Sequence, residues 1–436
     1  MSNGKNISET FCVLPWAHLN VQPNGDIYPC CMAPYGKSIG NTSKDTLEEI
    51  WNGDDMKTIR KEMLEGERPN LCERCFLIED SGLLSPRNTH NYFFDNEIPD
   101  LIKETNPETG HNDKFVLKYW DFRWSNICNF KCRMCGAFSS SKWYEDETAL
   151  YGTKMDNNGL LNYNSDSKED IFKYVDRFIN DVEEIYFAGG EPLIMDEHYI
   201  ILEKLIAAGR TNVRIRYNTN FSHIKFKKWD LHGLWSHFLN DPNGRIFLFA
   251  SLDAVGKLAE VIRNGTKWNS VYENIKSCVD RGMEVHISPT ISILNIFHIN
   301  ELIDMAISVG VNPNTVSLNN LLTTPHWYDI RILPSNLKVD LINKLHDYTK
   351  TIESLHVRGI VNNAINAWEK HMNTPFEGDI KDSERHLLRS TLILDKRRNE
   401  KFLDVNPQYV DWFTEIENSI VDKSFLNETK HDDTLI

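Results

Sequence analysis

This sequence predicts an α/β fold: a parallel sheet with helices outside it, a cysteine-rich segment before it and a mainly helical region after it. Three observations predict this. Strand-like runs alternate with helical stripes through the middle of the chain. Turn-forming and chemically active residues gather at the ends of those runs. Eight of the nine cysteines fall in two groups, one ahead of the alternation and one inside it.

The N-terminal segment comes first. Gly25-Asp-Ile-Tyr-Pro-Cys30 reads as a strand returning from Pro23-Asn-Gly25, because Asn-Gly is the strongest short hairpin signal. Leu47, Ile50, Trp51, Ile59, Met63 and Leu64 fit helical stripes broken at Asn52-Gly53. Cys72-x-x-Cys75 follows. A hairpin, a helix and a Cys-x-x-Cys loop can bring Cys12, Cys30, Cys72 and Cys75 together on one centre. Cys31 can replace Cys30 or stay outside the set, and four thiolates suit zinc as well as an iron–sulfur cluster.

A polar connection over 97–113 leads into the alternation. Strands are expected at 115–124, 184–187, 213–217, 245–253, 284–288 and 314–319. Stripes such as Ile201-Leu202-Leu205-Ile206 and Leu302-Ile303-Ala306-Ile307 supply helices between them. The polar stretch 150–170 is long for a loop and is expected to act as a lid. From Thr324 onward, Leu337, Leu341, Leu345, Ile360, Ile365 and Trp368 continue the helical pattern. Lys396-Arg-Arg398 is expected to be a solvated face.

Cys128-x-x-x-Cys132-x-x-Cys135 follows the first strand. Three thiolates on one short loop can hold three corners of a cubane cluster and leave the fourth iron open to a ligand, where a closed cluster takes four. The spacing resembles the signature of the radical S-adenosylmethionine (SAM) enzymes, with Met134 standing where an aromatic residue is usual. Methionine is apolar and polarizable enough to pack on an adenine. The resemblance implies an open (β/α)6 partial TIM barrel and a [4Fe–4S] cluster that binds SAM. It also implies reductive cleavage of SAM to a 5′-deoxyadenosyl radical that abstracts hydrogen from substrate. Gly189-Gly190-Glu191-Pro192 looks like the family's motif for the SAM amine, and glycines there let backbone approach a ligand. Asn218, Asn220 and Ser251 match strand-end positions that contact SAM in relatives, Arg263 looks like an arginine that pairs with the SAM carboxylate there, and Asp253 matches an acid near substrate. The spacing Cys12, Cys30, Leu47-Glu-Glu-Ile-Trp-Asn52, Cys72-x-x-Cys75 is similar to the Twitch form of the SPASM domain, which carries an auxiliary [4Fe–4S] cluster. In relatives that module usually follows the barrel.

The resemblance thus divides the chain into a Twitch-like domain and linker (1–96), a barrel (112–323) and a helical extension (324–436). Implied partners are SAM, a reductant such as flavodoxin or ferredoxin, and a peptide, protein or small-molecule substrate. The alternative class is a non-catalytic iron–sulfur or zinc protein in electron transfer or assembly. A net charge of −15 argues against non-specific nucleic-acid or membrane binding. No apolar run approaches the roughly 18 residues of a spanning helix, and the first residues lack the core of a secretory signal. A cytoplasmic address follows, where clustered cysteines read as metal ligands rather than disulfides. Cys278, alone on a helical stripe, is expected to be packing.

Overall fold

The computed structural model describes residues 8–80 and 84–429, so the first residues, on which a missing signal was read, lie largely outside it. Packing divides the chain into two units. One holds residues up to 126 with 161–217 and 229–246; the other holds 127–160, 218–228 and the chain from 247 on.

In the first unit β1 (His18–Val21) and β2 (Asp26–Tyr28) form the expected hairpin, with Asn20 opposite Tyr28. Gly25 makes the turn at φ 84°, a conformation that glycine adopts without a Cβ penalty. β3 (Gly40–Asn41) pairs with β2. β1 also runs parallel to β4 (Tyr119–Phe122), which pairs with β5 (Glu184–Phe187) and that with β6 (Arg214–Thr219). The cysteine-rich segment therefore contributes a strand to the parallel sheet.

Alternation along these strands gives the sheet two unlike faces. Leu19, Val21, Trp120, Ile185, Phe187 and Ile215 make one face apolar and buried. Asn20, Asp121, Tyr186 and Arg216 lie on the other. A parallel sheet covered by helices on both sides is apolar on both; the polar side here is built for something else.

The helix pair Leu47–Trp51 and Asp54–Glu65 breaks at Asn52-Gly53 as the pattern predicted. A reciprocal cap between Thr46 and Glu49 starts the first helix. Trp51 is fully buried beneath the Arg60 guanidinium, which stands 4.5 Å from its ring centre.

In the second unit Phe247–Ala250 of β7 (Arg245–Ala250) runs parallel to β8 (Glu284–Ile287). The strand expected at 314–319 is replaced by a 3-10 turn, Pro313–Thr315, and single bridges Ile287–Val316 and Ile291–Leu321. Pro313 lacks an N–H for a ladder, and the Asn312 side chain caps the turn. Helices Ser335–Thr351, Leu355–Met372 and Ile380–Arg398 form the C-terminal region, with Leu341, Leu345, Ile365 and Trp368 buried. Cys278 is fully buried among apolar residues. Of the stretch expected to be a lid, Leu161 is pinned to Ser125 and Asn126 by hydrogen bonds of 2.8 Å, and Tyr163 stacks on Trp124. No helix among the described residues is long and apolar enough to cross a membrane.

Candidate functional site

The loop carrying Cys128, Cys132 and Cys135 is anchored through its backbone. Lys131–Cys132 forms a short antiparallel ladder with Arg263–Asn264, Cys132 opposite Arg263. The Cys135 N–H donates to the Cys132 carbonyl at 3.0 Å, and the Phe130 N–H approaches the Cys128 Sγ at 3.4 Å. Trp143 Nε1 and Ser140 Oγ donate to the carbonyls of Cys132 and Phe130 at 2.6 and 2.7 Å. Gly265, at φ 106°, lets the chain pass so close that a Cβ there would lie 2.8 Å from the Asn129 carbonyl oxygen.

All three thiols are half-buried. Burial pushes Cys135 up to about 12, with Cys132 adding repulsion. Cys132 is also raised by burial, but Arg263 opposes, its Nη1 standing 3.6 Å from the sulfur. Arg263 is itself held by Asp253, whose Oδ2 accepts from Nε at 2.6 Å. Asp253 is fully buried and accepts a further bond from the Thr290 N–H at 2.8 Å. Burial works against the Arg263 charge, yet Asp253 and Cys132 more than offset it and leave the guanidinium firmly protonated.

Asn220 joins the same assembly: its Nδ2 donates to Asn129 Oδ1 at 2.9 Å, and Asn129 in turn donates to Ser222 Oγ at 2.9 Å. Ser251 and Met134 are half-buried and Asn218 is exposed. The structure thus gathers Arg263, Asp253 and Asn220 around the cysteine loop by direct bonds.

Sequence reasoning missed the clamp on this loop. Arg133, between two of the cysteines, is buried, bonds Asp395 and lies 3.1 Å from Glu400. Asp146, also buried, accepts from Arg397 and Arg398 at 2.8 and 2.9 Å and lies 3.4 Å from Lys131. The run 396–398 is a solvated face only at Lys396, whose side chain is 79% exposed: the Arg398 side chain is fully buried and stands 5.1 Å from the Trp143 ring centre. Three consecutive cations carried no sign of an acid some 250 positions earlier.

In the first unit Gly189 and Gly190 follow β5 with φ of 82° and 52°. A Cβ on Gly189 would lie 2.7 Å from the Arg123 Cβ. Glu191 is buried, and its Oε1 accepts from the Leu193 N–H at 3.0 Å, capping the turn Pro192–Ile194.

The N-terminal cysteines share one neighbourhood. Burial raises Cys12, and Cys72 and Cys75 raise it further; burial likewise raises Cys72, with Cys30 and Cys75 adding to it. The chain entering Cys12 is tied down by Arg87 and Asn91, which donate to the Phe11 carbonyl at 2.6 and 2.7 Å. Cys31 differs. It is exposed, and after burial its thiol feels Asp121 first, with Arg123 and Arg216 opposing, at about 11.

Among the described residues no three His, Cys, Asp or Glu side chains close to the spacing that a single metal ion requires. Three half-buried thiols on one loop with a cation beside them fit a cluster with an open iron, and four thiols, two buried and two half-buried, fit a closed one.

Comparison with known proteins agrees. Residues 122–306 match the Radical SAM superfamily, and residues 12–76 match the SPASM iron–sulfur cluster-binding domain. No curated protein matches the chain significantly. Solved structures that align include "Native anSMEcpe with bound AdoMet" (18% identity, 43% of this chain and 47% of that one, TM-score 0.31). A histidine-tagged form of the same protein with AdoMet aligns at 20% identity over 43% and 45%, TM-score 0.30. The alignment spans less than half of each of these chains. The domain of residues 122–306 is one that binds a [4Fe–4S] cluster and SAM, and that of residues 12–76 carries auxiliary iron–sulfur chemistry. Residues 122–306 are thus a radical SAM domain, and residues 12–76 an auxiliary SPASM iron–sulfur domain.

Proposed function

We propose that the chain cleaves SAM reductively and uses the resulting radical to abstract hydrogen from a substrate, a peptide or protein being the favoured class. Cys128, Cys132 and Cys135 hold the cleaving cluster, and Cys12, Cys30, Cys72 and Cys75 hold the auxiliary one. When bound, the first cluster supplies an electron to SAM and so generates a 5′-deoxyadenosyl radical.

The chain's own residues bind and orient. Arg263 stabilises the Cys132 thiolate and presents its guanidinium to the SAM carboxylate, a pairing that suits its planar fork. Asp253 keeps that guanidinium in place from below. Asn218, Asn220 and Ser251 offer amide and hydroxyl groups to SAM, and Met134 packs on the adenine. Gly189 and Gly190 bring backbone to the SAM amine, with Glu191 holding the turn in shape. The domain reading of 1–96, 112–323 and 324–436, a (β/α)6 barrel, a cytoplasmic setting and a flavodoxin or ferredoxin reductant complete the proposal.

The observation that carries it is the Arg263 guanidinium 3.6 Å from the Cys132 sulfur, on a loop with two more half-buried thiols. Anaerobic reconstitution, then dithionite and SAM with 5′-deoxyadenosine as readout, tests it. About eight irons per chain and turnover are expected. Cys128→Ala should abolish cleavage and leave about four irons; cleavage that persisted would remove the loop from the mechanism.

A further inference from the structure

The polar sheet face of the first unit is not absorbed by the function above. β1, β4, β5 and β6 set His18, Tyr119, Glu184 and Arg214 in one row. Two residues on, Asn20 pairs with Asp121 and Tyr186 with Arg216.

Asp121 is fully buried and is the hub of a relay. Gln22 Nε2 donates to Asn20 Oδ1 at 2.6 Å, Asn20 Nδ2 donates to Asp121 Oδ2 at 2.6 Å, and Arg123 Nε donates to Asp121 Oδ1 at 3.1 Å. A satisfied buried network of this kind holds its members in one geometry. The relay ends on a side chain that is 23% exposed and whose Nη1 donates to no described residue. A network serving only to bury Asp121 would have no need of a donor left over. Gly189 leaves the room beside this arginine that a Cβ would fill. Tyr186, half-buried, has a hydroxyl with no hydrogen-bond partner among the described residues. The exposed Cys31 lies within electrostatic reach of Asp121, Arg123 and Arg216.

The charges select the ligand. Among the described residues Arg123, Arg214 and Arg216 face Asp121 and Glu184, an excess of one positive charge in these pairs. That balance suits a monoanion better than a phosphate dianion.

We propose that this face is a carboxylate-binding site, in which Arg123 Nη1 takes a substrate carboxylate, the Tyr186 hydroxyl is a second donor and the Cys31 thiol lies alongside. It adds a substrate class to the function proposed above and rests on that reading only in leaving Cys31 outside the four-thiolate set. Its test reads alkylation, so it can fail without touching SAM cleavage, and the reverse.

Anaerobically reconstituted full chain is treated with iodoacetate or iodoacetamide, and Cys31 is followed by peptide mass spectrometry. In either reaction the thiolate sulfur bonds the reagent's CH2 and iodide leaves, so the ratio of rates cancels the thiolate fraction. A free thiol favours the neutral reagent, and a chain of net charge −15 should strengthen that bias. At Cys31 iodoacetate is expected to be faster by about tenfold, the worth of one charge-assisted hydrogen bond, with saturation and with protection by acetate. Arg123→Gln should reverse the preference, with the iodoacetamide rate as internal control. Arg123→Lys should keep part of it, and stands in should the glutamine variant lose its iron or its fold. Preference for iodoacetamide in the unaltered chain overturns the site, as does an iodoacetate preference that survives Arg123→Gln. Failure of both reagents at Cys31 also overturns it, and protection by inorganic phosphate but not by acetate overturns the carboxylate assignment.

Discussion

The two cysteine groups differ in the charge set beside them. The thiols of Cys128, Cys132 and Cys135 are half-buried, stand on a loop pinned through its backbone and have a guanidinium at 3.6 Å. Cys12 and Cys75 are buried, and the N-terminal thiols are raised chiefly by their own burial and by one another. A thiolate beside a fixed cation in a half-open loop is held for a centre that must meet a ligand. Thiols packed against each other need a centre that neutralises them and is then left closed. In the proposed function the same residue type serves SAM cleavage in one place and an auxiliary cluster in the other, and its surroundings distinguish the two.

The sharpest way to break this comparison is to remove one ligand from each group. Cys132→Ala should lower 5′-deoxyadenosine formation by about a thousandfold or more, whereas Cys30→Ser should remove about four irons and leave cleavage measurable. Equal loss of cleavage in the two variants would erase the distinction between them.

The buried partners of the cysteine loop come next. Arg263→Gln leaves Asp253 buried without its cation and should cost about 3–5 kcal/mol in denaturant unfolding of the metal-free chain, with Arg263→Lys recovering part of it. Asp146 gives a pH test. Burial pushes its carboxyl up, but bonds from Arg397 and Arg398 together with Lys131 outweigh burial and hold it below the ordinary value. A carboxyl lowered in the folded state contributes stability above its unfolded pKa of about 3.9 and loses it as pH falls through the folded value. The melting temperature of the chain should therefore fall below about pH 4, and Asp146→Asn should flatten that limb while lowering stability at neutral pH.

Two glycines make a smaller contrast. Gly265→Ala would press on the Asn129 carbonyl at φ 106°, while Gly189→Ala meets only the Arg123 side chain at φ 82°. Each should cost about 1–3 kcal/mol, with Gly265→Ala the worse because backbone cannot step aside. Cys31→Ser is expected to change least, keeping about eight irons; a loss of four would place Cys31 among the ligands in place of Cys30.

Local chemistry explains what was legible in advance. Asn24-Gly25 made its hairpin, Asn52-Gly53 broke its helix, and Leu341, Leu345, Ile365 and Trp368 took the buried stripe. Each depends on neighbours within a turn or two. The expected strand at 314–319 failed because Pro313 and Asn312 favour a capped turn, and β-like composition does not supply a ladder partner. Arg397 and Arg398 were misread because the acid that pairs with them, Asp146, is remote in sequence.

The sequence by itself determined which residues stand together: spacing within a loop puts three sulfurs within a few residues of one another, whatever the rest of the chain does. Only the tertiary structure decided their electrostatic company. Arg263 beside Cys132, Arg398 beneath Trp143 and Asn20 against Asp121 join positions roughly 100 to 250 residues apart. Such pairs form only when packing removes water from between them, and no local pattern encodes that step.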